Sequence, residues 1–145
     1  MARPLVVDAS VAAKWVLREV GSSDAARILD AFRRGHLSVF APSLLVEEVA
    51  AVIATRFRRN LLNSRQAVEA FEQMLIYLPT LVRSNDVARS AMRLATQHRA
   101  SFYDCLYLAW SFELKCDLVT ADARFFRSLN NSYTHVTMLG AFRIH

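Results

Sequence analysis

The stretch PLVVDASVAAKW, residues 4–15, carries the grammar of the whole chain. A short run of strand-favouring apolar residues stops at Asp8, and a helix-type sequence follows from Ser10 to about Arg34. The same order returns downstream. LSVFAP (37–42) precedes a helix from Ser43 and another from Ser64, and a short LVR (81–83) precedes helices from Ser84 and Ser101. DLVTAD (117–122) leads into a short helix, and THVTML (134–139) follows it. Strands alternating with helices predict parallel crossover units, and hence an α/β fold with four or five strands and both sheet faces covered. Serine before five of the helical runs, at Ser10, Ser43, Ser64, Ser84 and Ser101, supplies a hydroxyl for an orphan backbone amide.

A chain of 145 residues has the size of one domain, here residues 1–145, and buries a sizeable core without covalent staples. Its hydrophobic fraction of 54% argues against disorder and leaves apolar surface for a partner, with dimerisation the simplest use. The net charge of +5 comes almost wholly from arginine, with Lys14 and Lys115 the two lysines. Arginine binds phosphate through a planar fork, so an anionic partner such as nucleic acid is one reading of that balance.

Cys105 and Cys116 stand eleven residues apart, roughly 16 Å if one helix carries both, which is too far to pair. The histidines are scattered, no CxxC or CxxH spacing occurs, and a zinc site is not expected. The N-terminal apolar run is too short for a signal peptide and no segment suits a bilayer span, so the expectation is a soluble cytoplasmic protein with no membrane association. There is no GxGxxG, no GxxxxGK[ST] and no GxSxG, which removes dinucleotide, P-loop and serine-hydrolase chemistry.

Ligands of open α/β sheets sit at the carboxyl ends of the strands and at the helix starts that follow. Asp8 ends the first strand and Asp122 follows LVT, so both fall at that rim. In the helix from Ser43, the apolar positions Leu45, Val49, Val52 and Ile53 put Glu48 at the margin of the buried stripe and Glu47 on the far side. Asp104 interrupts the apolar segment SFYDCLYLAW, three residues after Ser101.

Each acid also has a local explanation. Asp104 completes an S-x-x-D capping box, Asp8 and Asp122 suit turns or caps, and Glu48 suits a helix surface. Together they mean more, because four acids at one rim raise one another's pKa unless a cation lies among them. An all-carboxylate set points to Mg2+ or Mn2+, hard ions that keep waters and accept phosphate oxygens.

The sequence resembles PIN-domain proteins and, more narrowly, the VapC toxins of toxin–antitoxin pairs. The likeness rests on VVDASVAAKW, PSLLVEEVAAVI, YDCLYLAWS and LVTADARFF, which occur in the expected order over most of the chain. It implies a three-layer α/β/α fold, usually dimeric, and a metal-dependent endoribonuclease hydrolysing RNA with Mg2+ or Mn2+. Asp8, Glu48, Asp104 and Asp122 match the family's acids, with Asp8, Asp104 and Asp122 as metal ligands and Glu48 completing the site or orienting water. Ser10 and Thr120 match the small hydroxyl residues that accompany the first and last acids. Ala51 stands where relatives often have asparagine, and Glu47 where a neutral residue is common.

An RNA groove then gives the arginines a role: Arg124 beside Asp122, and Arg56, Arg58 and Arg59 at the end of the Glu48 helix. A solvated helix C-terminus explains the latter cluster equally well. Phe102, Tyr103, Tyr107, Trp110 and Phe112 read as core and dimer surface. The resemblance also implies a cognate antitoxin protein. The alternative is a catalytically silent PIN-like module that binds RNA or protein.

Overall fold

A computed structural model of the protein describes residues 1–144. Its centre is β1 (Arg3–Val7), which pairs in parallel with β2 (Leu37–Pro42) on one side and with β4 (Asp117–Thr120) on the other. β3 (Thr80–Val82) extends the sheet beyond β2 and β5 (Val136–Met138) beyond β4, giving the order β3-β2-β1-β4-β5 with every pairing parallel. Parallel neighbours cannot be joined by hairpins, which is why each strand is followed by helical chain.

Alternation along β1 sorts the two faces. Val6 points into a core shared with Leu45, Val49 and Ile53 of α3 (Leu45–Arg58), Ala70 and Met74 of α4 (Ser64–Ile76), Val87 and Ala91 of α5 (Asn85–His98), and Tyr107 and Leu108 of α6 (Phe102–Glu113). Leu5 and Val7 point the other way, into Ala25, Ile28 and Ala31 of α2 (Ser22–Arg33) and into Leu139 and Phe142 near the C-terminus. Burying both sheet faces makes the strands read as near-continuous apolar runs and produces three layers, α/β/α. The short helices α1 (Ala9–Ala12) and α7 (Ala123–Ser128) leave the carboxyl ends of β1 and β4.

The sheet matches the expected α/β pattern, with five strands all parallel. Several helix starts differ. Ser84 and Ser101 cap α5 and α6 as expected, their hydroxyls accepting from Val87 N and from Tyr103 N and Asp104 N. Ser10 does not cap α1, because Asp8 stands two residues earlier and its carboxylate accepts from Val11 N. Ser64 yields to Asn63, which forms a reciprocal box with Gln66. Ser43 instead donates its backbone amide to Val82 O, and α3 begins two residues later without a side-chain cap.

The helical stretch expected from Ser10 to Arg34 is likewise two pieces. After α1 a 3-10 turn (Ala13–Trp15) runs into a loop ending at Gly21, whose φ of 89° suits a residue without a Cβ. Cys116 lies past the end of α6 rather than on it, and both cysteines are free. No helix of the described residues is long and apolar enough to cross a membrane.

Candidate active site

Strand order decides where chemistry can sit. β1 connects to β2 on one side, while the chain later crosses back to lay β4 on the other, so the two connections diverge above the β1–β4 pair. A crevice opens at such a switch point, outside the carboxyl ends of the strands. Asp8 and Asp122 lie at that edge, one just past β1 and the other two residues past β4.

Asp8 is 3% exposed and is held by three donors. Ser10 Oγ donates to Oδ1 at 2.5 Å, Thr120 Oγ1 donates to Oδ2, and Val11 N reaches Oδ1 at 3.2 Å. Each hydroxyl has one proton and has given it to Asp8, so each faces its other neighbour as an acceptor: Ser10 Oγ takes Ala121 N at 2.8 Å and Thr120 Oγ1 takes Asp122 N at 3.0 Å. This network ties the exit of β1 to the exit of β4. Burial is the largest influence on Asp8 and pushes it up to about 6, with the Asp122 charge adding, against the pull of the two hydroxyls and the Val11 amide.

Asp104 sits in the first turn of α6 below Ser101. Half of the expected capping box is present, the serine hydroxyl accepting from the Asp104 amide at 3.4 Å. The other half is missing, since no hydrogen bond reaches the Asp104 carboxylate among the described residues. Burial pushes Asp104 up to about 7, and the charges of Asp122, Asp8 and Glu48 push the same way. Asp104 therefore feels all three other acids.

Glu48 is half-buried on α3 while Glu47 beside it is exposed, as the spacing of the apolar stripe implies. The phenol of Tyr107 donates to Glu48 Oε1 at 2.6 Å. Burial raises the Glu48 pKa and the phenol partly offsets it. Asp122 caps α7, its Oδ1 accepting from Phe125 N at 3.1 Å.

The four carboxylates share one field but do not form a closed cage: among the described residues, no three His, Cys, Asp or Glu side chains are grouped closely enough to hold a metal ion. The donor chemistry nonetheless fits a hard cation, because the set is all oxygen and Asp104 brings a charge that no donor among the described residues compensates. Mg2+ needs only one or two carboxylates and completes its shell with water and substrate phosphate.

The arginines divide. Arg56 is paired with Glu19, whose other oxygen takes Lys14 Nζ at 2.8 Å, so Arg56 braces the loop after α1 against α3. Arg58 and Arg59 are exposed at the end of α3, with Arg58 donating to Thr55 Oγ1, and lie roughly 15 Å along the helix from Glu48. Arg124 is exposed on α7, two residues from Asp122.

Three residues near the acids were not singled out from the sequence as site residues. Tyr107 was readable in principle, since it falls three residues after Asp104 on the same face of α6. Lys14 and Glu19 carry no such signal, because their pairing depends on a loop conformation. The Lys14 ammonium also feels the Asp8 charge, although burial and Arg56 dominate and lower its pKa.

The family model described as PIN domain matches residues 5–129. The chain belongs to the PIN-domain family. Several solved structures share its fold. PAE2754 from Pyrobaculum aerophilum superposes over 97% of this PIN-domain chain and 93% of its own, with a TM-score of 0.71 and 18% identity. VapC20 from Mycobacterium tuberculosis, a sarcin-ricin loop cleaving toxin, covers 86% of this chain and 94% of its own, with a TM-score of 0.61 and 18% identity. A search of curated proteins finds no sequence match.

Proposed function

We propose that this PIN-domain protein is a metal-dependent endoribonuclease, the toxin component of a toxin–antitoxin pair. The observation that carries the reading is Asp104: a half-buried carboxylate without a hydrogen-bond donor among the described residues, facing the charges of Asp8, Glu48 and Asp122 at the sheet's switch point. Such a group is costly in an isolated fold and useful beside a cation.

Asp8, Asp104 and Asp122 would hold Mg2+ or Mn2+, which when bound acidifies water and neutralises charge developing on the phosphate. Ser10 and Thr120 fix the rotamer of Asp8, leaving it little freedom to move. Glu48 orients the water that attacks phosphorus. Arg124 stands close enough to Asp122 in the chain to meet the RNA backbone, and Arg58 and Arg59 offer a more distant cationic edge. A homodimer and a cognate antitoxin belong to the same reading, supported by the family membership and by the fold shared with VapC20.

A second reading, a PIN-like module that binds RNA or protein without turnover, draws on one observation: among the described residues, the carboxylates do not stand in a three-ligand group. One experiment separates the two. Labelled single-stranded RNA is incubated with purified protein in Mn2+, in EDTA, and with Asp104→Asn prepared identically, and Mn2+ binding is followed by calorimetry on the same samples. Cleavage that needs both metal and Asp104 supports the nuclease. Mn2+ binding absent from wild type would refute it, and RNA binding without cleavage would favour the module. Co-purification from the native operon tests the antitoxin.

A further inference from the structure

Tyr107 is among the largest fully buried side chains, 1% exposed in the core beneath the acid rim. Phenylalanine would fill the same apolar volume, so the hydroxyl needs a separate account. Among the described residues its one partner is Glu48 Oε1 at 2.6 Å, reached from α6 across to α3. The distance is that of a charge-assisted bond from a phenol to a carboxylate.

Helix geometry makes this arrangement specific. Tyr107 is three residues past Asp104, so α6 stacks them on one face, Asp104 at the rim and the phenol one turn deeper. A single helix face thus presents one acid of its own and fixes a second from another helix. Glutamate has three rotatable side-chain bonds, and the bond to Oε1 removes most of that freedom while Oε2 receives no hydrogen bond among the described residues. Asp8 is treated in the same manner by Ser10 and Thr120.

We propose that Tyr107 is a positioning residue for the acidic site: its hydroxyl holds Glu48 turned inward, with Oε1 engaged and Oε2 free to act alongside Asp104. The catalytic consequence rests on the nuclease reading above, while the metal-binding consequence does not require turnover.

The test is a double-mutant cycle on the full-length protein with wild type, Tyr107→Phe, Glu48→Gln and the double variant. Thermal melts establish folding, calorimetry with Mn2+ alone gives affinity, and cleavage of single-stranded RNA gives kcat and KM. Tyr107→Phe is expected to weaken Mn2+ binding and lower kcat about tenfold, the lower end for loss of a partner that orients a metal-site group, with KM for RNA within twofold. In the Glu48→Gln background the same change should cost less than twofold.

A purely structural tyrosine would cost the same in both backgrounds, and that result overturns the proposal. So does a Glu48→Gln variant that binds Mn2+ and cleaves like wild type, since Tyr107 would then have nothing to position. A Tyr107→Phe variant that does not fold, although phenylalanine fills the same volume, would show a structural hydroxyl and overturns the proposal as well. Absence of cleavage by wild type bears on the nuclease reading alone, and the Mn2+ cycle still decides the role of Tyr107.

Discussion

Neutralising Asp104 should abolish activity and stabilise the metal-free protein. Burial and three neighbouring acids move this carboxyl from 3.8 to about 7. That interval is worth about 4 kcal/mol at 1.36 kcal/mol per pKa unit, and solvent screening of a half-buried group reduces it to about 2 kcal/mol. Asp104→Asn loses no hydrogen bond to the carboxylate among the described residues, so little offsets the gain. At roughly 3 °C per kcal/mol for a chain of this size, Tm in EDTA at pH 8 should rise by about 6 °C.

The pH dependence gives the sharper check. A carboxyl whose folded-state pKa is raised favours the protonated form, so its penalty is absent below about 3.8, grows with pH, and is complete above about 7. The advantage of Asp104→Asn should therefore shrink to about a quarter of its pH 8 value at pH 4.5. Differential scanning fluorimetry at the two pH values measures both quantities. A gain of equal size at pH 4.5 and pH 8, or no gain at pH 8, would refute the electrostatic account of this residue.

Two further outcomes follow from the hydrogen-bond and ion-pair networks. Thr120→Val removes a donor from buried Asp8 and an acceptor from the Asp122 amide, and should cost about 1–3 kcal/mol in urea denaturation with an unchanged m-value. Glu19→Ala leaves Lys14 and Arg56 facing each other, and should cost about 1 kcal/mol at low salt, with the difference from wild type changing as NaCl is raised to 0.5 M.

The strands and the rim acids were legible in the sequence because both depend on local pattern. PLVVD, LSVFAP and DLVTAD are apolar runs bounded by turn-type residues, and an acid directly after a strand falls at the carboxyl end whatever the strand order. Glu48 was separable from Glu47 because helical periodicity alone distinguishes them. Helix starts were less legible where two capping residues compete. Asn63 displaces Ser64 because Gln66 completes a reciprocal pair with Asn63, and Asp8 displaces Ser10 because the serine hydroxyl is drawn to the carboxylate. The brace of Lys14, Glu19 and Arg56 was not legible, since it joins a loop to a helix 37 positions away through conformations no short window encodes.

The position of β4 beside β1 also carries a temporal consequence. Asp8 and Thr120 are 112 positions apart and meet only through that pairing. A polypeptide emerging from the ribosome presents Asp8 and Glu48 long before the residues that complete the rim. Any chain interrupted upstream of Asp117 lacks both the last strand of the switch point and the final acid. The late, non-local pairing thus sets an order: the acidic rim comes into existence only once the chain has been made past Asp122 and β4 has paired with β1.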